Sequence, residues 1–283
     1  MFQAEINNLN EIAQNKIKYL DRSPLGYFVL SCLAGIYVGF GILLIFSVGG
    51  PIHVAGGGAY LKLIMGASFG IALSLVIFAG SELFTGNNMT MVIGGLNRVV
   101  RWSAVLKLFL ICYLGNLAGS IFIAGLMVQS GSLTHGAVDL LLKVGESKMT
   151  VGGWELFVRG VLCNWLVCLA VWTSSRMQGD AAKLIMIFWC LFAFIASGFE
   201  HCVANMTVLG LTLMLPHGEM ITFSGFGHNL IWVSFGNMVG GAVFVGMVYW
   251  FASRPVDKEK ATPLTPLEIV EAPSSQGNQL IKV

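Results

Sequence analysis

The chain holds 283 residues, 56% of them apolar and only 11% charged, where an ordinary soluble domain carries about 25% charge. Its 16 Lys/Arg and 14 Asp/Glu cannot keep so large a surface wet, which excludes a soluble globular enzyme. The apolar content also excludes overall disorder, which needs low hydrophobicity and high net charge. What remains is an all-α integral membrane protein, with room for about six to eight spans.

The first twenty residues, MFQAEINNLNEIAQNKIKYL, read as an amphipathic, partly charged helix lying along the cytoplasmic membrane face, not as a signal peptide. Residues 1–22 are one unit on this reading, 23–253 a transmembrane domain, and 254–283 a cytoplasmic tail. The tail is rich in Pro, Ser, Glu and Lys, the composition of disordered segments. Between them, charge-free runs mark the spans. The first covers Gly26–Gly50; at about 1.5 Å per residue it crosses a core of roughly 30 Å. The second runs from Leu63 to Ser81, meets Glu82 and continues from Leu83 to Asn97. The third covers Leu108–Val138 and the fourth Gly160–Ser175. The fifth runs from Leu184 to Phe199, meets Glu200 and His201, and resumes at Cys202; the sixth lies between Glu219 and Arg254. With the N-terminus inside, twelve Lys/Arg fall on cytoplasmic segments and four outside, namely Lys62, Lys143, Lys148 and Arg159. That bias puts both termini in the cytoplasm.

The chain repeats itself. GSELFTGNNMT from Gly80 aligns with GFEHCVANMT from Gly198, which sets Glu82 over Glu200 and Asn87 over Asn205. YLGNLAGSIF from Tyr113 aligns with SFGNMVGGAVF from Ser234. Each unit has three spans. Three is odd, so the second copy enters the membrane from the other side as an inverted repeat, with the second and fifth helices broken. Folds of this kind place a transport site where broken helices meet. The restarts near Asn87 and Asn205 present positive dipole ends that favour an anion.

His201 is read as the one histidine inside a span, beside Glu200 in a break, and is the first candidate for the centre of a path. Glu82 and Glu200 read as acceptors of backbone hydrogen bonds that hold the breaks open. Thr85 either reaches the same midpoint or caps a helix. Phe69, Leu73, Leu83, Phe84 and Phe194 are candidate apolar constrictions, set against ordinary packing. Lys148 is either a basic group at an outer mouth or a solvated loop lysine, and Arg159 is a weaker candidate. Asn164, Asn229 and Asn237 either line the path or bridge helices. Glycines at Gly66/Gly70, Gly115/Gly119 and Gly236/Gly240 have the spacing that permits close helix contact. The six cysteines have no CxxC spacing, and no metal site or cofactor is expected.

Four motifs in order, AGSELFTGN from Ala79, LCNWLVCLAVW from Leu162, ASGFEHCVANM from Ala196 and HNLIWVSFGN from His228, resemble the formate/nitrite transporter family, and its bacterial nitrite-channel subgroup most closely. The resemblance runs from the amphipathic N-terminus to Trp250. It implies an aquaporin-like fold in a homopentamer of the bacterial inner membrane, with one pore per protomer. It also implies a centre at His201 and Thr85 with Glu200 and Asn164, and constrictions at Phe69, Leu73 and Phe194, with Leu83 and Phe84 on the first break. Lys148 and Asn229 would belong to the outer vestibule. The implied substrate is a small monovalent anion: nitrite first, formate or hydrosulfide as alternatives, with possible proton coupling. Membrane lipid is the other expected partner, and nucleic acid is not one. A neutral-solute pore of aquaporin type is the rival of another class, but it would need paired Asn-Pro-Ala triplets that are absent here. A membrane enzyme is disfavoured because no catalytic pair and no paired haem ligands are visible.

Overall fold

The computed structural model describes residues 2–254; the tail expected over 254–283 lies outside them except for Arg254. Helices α1 (Gln3–Arg22), α2 (Pro24–Val54), α3 (Gly58–Ser68), α4 (Gly70–Phe78), α5 (Phe84–Leu96) and α6 (Trp102–Gln129) form a first half. Helices α7 (His135–Thr150), α8 (Gly153–Arg176), α9 (Asp180–Ser197), α10 (Cys202–Met214) and α11 (Phe223–Gly241) form a second; a π turn over Ala242–Met247 leads into α12 (Val248–Ala252). Six stretches are long and apolar enough to cross a membrane: α2, α3 with α4, α6, α8, α9, and α11 through α12. The described residues contain no strand.

Each half has the same order of parts: a surface helix, a full span, a span that stops short, a short buried helix and a second full span. The chain turns out of α4 through Gly80 (φ 78°) and out of α9 through Gly198 (φ 75°). Positive φ is strained for residues with a Cβ and open to glycine, so the repeated glycine fixes where each helix ends. The halves meet at equivalent residues: the Tyr113 hydroxyl lies 3.0 Å from Ser234 Oγ.

Close packing of the full spans rests on glycine. A Cβ on Gly119 of α6 would stand 1.9 Å from the Cys32 carbonyl oxygen of α2, and one on Gly240 of α11 would stand 2.3 Å from the Val161 carbonyl of α8. Backbone cannot yield as a flexible side-chain tip can. Gly119→Ala is therefore expected to remove most of the monodisperse protein from detergent extracts. Gly125→Ala, on the same helix with open space around it, should leave it unchanged; size-exclusion chromatography reads both.

Helix α1 covers the stretch read as one amphipathic helix, and its apolar face packs against protein. Ile6, Leu9, Ala13 and Leu20 are buried, and Ala13 lies against Gly94 of α5. Phe2 meets Trp172 and Tyr249 edge-on. The apolar face is covered by the protein itself, since its spacing of three and four residues matches the surface that α5 offers.

Candidate functional site

The two breaks are built alike. Asn116 of α6 donates to the carbonyls of Ser31 and Glu82, both at 2.8 Å, and accepts the Phe84 N–H at 2.9 Å. Asn237 of α11 donates to the carbonyls of Gly160 (2.8 Å) and Glu200 (2.9 Å), and accepts the Cys202 N–H at 2.8 Å. The Glu82 N–H reaches Leu30 O, and the Glu200 N–H reaches Arg159 O. Buried peptide groups thus find partners where the helix cannot supply them, as non-helical backbone at membrane depth requires.

This corrects the sequence reading of the two acids. Their carboxylates take side-chain donors, while the first N–H of each short helix goes to Asn116 or Asn237. Glu82 accepts from Lys16 of α1 at 2.5 Å, from the Tyr27 hydroxyl at 2.8 Å and from Asn87 at 3.1 Å. Glu200 accepts from Lys148 at 2.7 Å and from Asn205 at 2.6 Å. Lys148 stands in the last turn of α7, so its segment is a helix and not a loop. The two ion pairs occupy equivalent places, one beneath each surface helix.

Leu83 and His201 are the N-cap residues of α5 and α10, both extended (φ −101° and −111°). Extended backbone sends successive side chains to opposite faces, and this separates Leu83 from Phe84. Leu83 borders a small apolar void with Phe69, Leu73, Phe194 and His201. The Phe84 ring instead packs edge-on against Phe109 and Tyr113. Phe84 is therefore part of the α5–α6 contact and not of the constriction. Phe69 and Phe194 meet edge-to-face at 5.6 Å, and the Phe194 ring stacks on the His201 imidazole at 6.0 Å.

His201 Nε2 lies 2.9 Å from Thr85 Oγ1, a bond that joins the two short helices. Its Nδ1 accepts the Ala204 N–H at 3.1 Å and so caps α10. A nitrogen that accepts a hydrogen bond carries no proton, so the network assigns the neutral ring a proton on Nε2. The Thr85 carbonyl accepts from Asn164 at 3.2 Å, and Asn164 also donates to Asn237 O at 2.6 Å. Asn164 thus stands behind Thr85 as a brace. Asn229 donates to Lys148 O and accepts from Asn205, tying α11 to α7 and α10 with its side chain fully buried.

On one side His201 closes the floor of a cavity of about 500 Å³, whose walls carry His53, Lys62, Lys143, Lys148, Arg159 and Glu200. Glu200 is the only acid on its walls and is paired with Lys148, while Arg159 is paired with Glu155 beside it, so the cavity keeps a cationic excess. Sequence reading singled out Lys148 and Arg159 but passed over His53, Lys62 and Lys143. Their signal was the shortage of outer cations, all four of which turn out to line this one cavity. His201 is also not the only histidine in a span. His53 lies near the end of α2, and His228 lies in α11 with Nε2 3.0 Å from the Val151 carbonyl. Among the described residues no group of three or more His, Cys, Asp or Glu is placed to hold a metal.

Six apolar spans, two short helices joined end to end by the His201–Thr85 bond, and a basic cavity bordered by His201 have the architecture of a multi-pass membrane channel or transporter. Residues 4–251 match the family model described as formate/nitrite transporter, and the chain belongs to that family. The nitrite transporter NirC of Escherichia coli (strain K12) is 45% identical over 90% of this chain and 96% of its own. A solved structure of an FNT family ion channel is 43% identical with a TM-score of 0.85, covering 89% of this chain and all of the other. A pentameric formate channel with formate bound is 29% identical with a TM-score of 0.71, over 82% of this chain and 98% of the other. The chain is thus an anion channel of the formate/nitrite transporter family.

Proposed function

We propose that this chain conducts nitrite, as one protomer of a homopentamer in the bacterial inner membrane, through a path centred on His201 and Thr85. The observation that carries the reading is the placement of His201, hydrogen-bonded to Thr85, between a basic cavity and an apolar void. Similarity to a nitrite transporter over nearly the full length favours nitrite over formate. Similarity to a pentameric channel supports the assembly. The bias of Lys and Arg supports a cavity that faces outside and termini that both face the cytoplasm.

An anion is drawn into the cavity by a cationic excess, since its four Lys and Arg side chains face two paired acids, Glu200 and Glu155. Past Phe194 it loses water, and desolvation is costly unless donors replace the hydration shell. His201 Nε2–H and the Thr85 hydroxyl are those donors, backed by the positive ends of α5 and α10. Phe69, Leu73, Leu83 and Phe194 exclude water from the void that His201 borders. Protonating His201 at Nδ1 would break the cap on α10. A neutral donor is therefore the resting form, and any proton that accompanies the anion enters with it from the cavity.

The test is flux of nitrite, formate, hydrosulfide and chloride into proteoliposomes of the full chain. Nitrite should pass fastest and chloride slowest. Comparable rates for glycerol, or nitrite no faster than in empty liposomes, would overturn the reading. Lys62→Gln with Lys143→Gln should raise the nitrite KM several-fold with little change in maximal flux, and should flatten its dependence on ionic strength.

A further inference from the structure

A cavity of about 630 Å³, which shares no lining residue with the path, lies where α1 crosses the start of α6. Its cations are Lys18, Arg101 and Lys107, and its one acid, Asp21, accepts from Lys107 at 3.3 Å. Ser103 adds a hydroxyl to the wall, while Val99 and Val100 make part of it apolar. This is the end of a membrane span, so the cavity opens at the boundary between water and lipid.

A second feature begins at its lip. Trp102, Leu106, Leu110 and Leu114 follow one another at intervals of four along α6, and they are 48%, 64%, 61% and 48% exposed. Residues four apart lie on one helix face, so they form a continuous apolar ridge running from the cavity into the membrane. Trp at its head is the side chain that favours the interface.

We infer that this cavity seats the headgroup of an anionic phospholipid, whose acyl chains lie along the Trp102–Leu114 ridge. The cationic excess matches a phosphodiester, the hydroxyl matches a glycerol headgroup, and the ridge supplies apolar surface of the right direction. Free phosphate would use the cations but gain nothing from the ridge. A second copy of the chain would cover the ridge but leave the excess of three cations over the one acid, Asp21, unmatched.

Native mass spectrometry of the delipidated full chain tests this, with phosphatidylglycerol, phosphatidylcholine and inorganic phosphate added separately. Phosphatidylglycerol adducts should exceed phosphatidylcholine adducts at least tenfold, and phosphate should leave no adduct. Each cation near a membrane surface is worth about fivefold for anionic lipid. The triple variant Lys18→Gln, Arg101→Gln, Lys107→Gln should therefore lose about 100-fold in phosphatidylglycerol occupancy. Lys62→Gln with Lys143→Gln, at the other end of the molecule, should lose none. If the triple variant does not fold, Lys18→Gln and Lys107→Gln alone should each lose about fivefold. Equal retention of the two lipids, unchanged occupancy in the variants, binding of phosphate alone, or an oligomer that takes up no lipid would each overturn the assignment. None of these outcomes depends on which anion the path conducts.

Discussion

Nitrite flux through a His201→Leu variant is expected to fall by about 10–100-fold, the loss that follows from removing a donor worth about 1.5–3 kcal/mol to a charged group. Leucine is the informative replacement because the other half of the molecule already carries it. Leu83 occupies the equivalent N-cap, extended in the same way, and borders the same void. His201→Leu makes the centre apolar from both sides, so an anion that has shed its water meets one hydroxyl in place of two donors. The substitution also removes the cap on α10, worth about 1 kcal/mol of stability. His201→Asn separates the two effects. An Asn side chain caps helices well and presents an amide donor, so it should recover thermal stability and part of the flux. Stopped-flow nitrite uptake and a melting curve on the same preparations read both quantities. Flux in His201→Leu equal to that of the unaltered chain would remove His201 from the path. Equal flux losses in the Leu and Asn variants would mean that the imidazole itself is required.

Much of this arrangement could be read in the sequence, for physical reasons. Charge in a bilayer is expensive, so the gaps between charges gave the spans, and the few ionisable groups at depth pointed to the breaks. Glycine left its mark because Gly119 and Gly240 stand where no Cβ fits. What was not legible depends on contacts between distant segments. Lys16 meets Glu82 across 66 residues and Lys148 meets Glu200 across 52, and hydropathy carries no trace of either. Extending the repeat outward would have suggested the pairing, since Lys16 and Lys148 each lie in a surface helix just ahead of a full span. Phe84 was misplaced for a different reason. Apolar residues next to each other look alike in a composition window, but extended backbone at Leu83 turns one toward the void and the next toward α6. The basic cavity was hidden because His53, Lys62 and Lys143 come from three segments that only the fold brings together.

Asn237→Leu should destabilise the protein by several kcal/mol, and Asn116→Leu by a similar amount. Each asparagine satisfies three buried backbone groups at once: two carbonyls and the first N–H of a short helix. Leucine fills the volume and satisfies none of them. An orphaned buried group costs about 1–3 kcal/mol in water-soluble proteins, and hydrogen bonds within a membrane measure about 0.6–2 kcal/mol; three per residue stay large on either scale. Aspartate offers no rescue, because its carboxylate can accept the N–H but would face two carbonyl oxygens without a proton to give. Thermal melting in detergent measures the comparison, and an unchanged midpoint for either leucine variant would show that the break is held by something else. The two should differ in function among the molecules that do fold. Asn237 fixes Glu200 and Cys202 on both sides of His201, and Asn164 bonds its carbonyl. Asn116 fixes the equivalent positions around Leu83, which brings no donor. Asn237→Leu should therefore depress nitrite flux per folded protomer more than Asn116→Leu does. Near-identical clamps then carry different consequences, because the inverted halves differ at the residue each clamp presents.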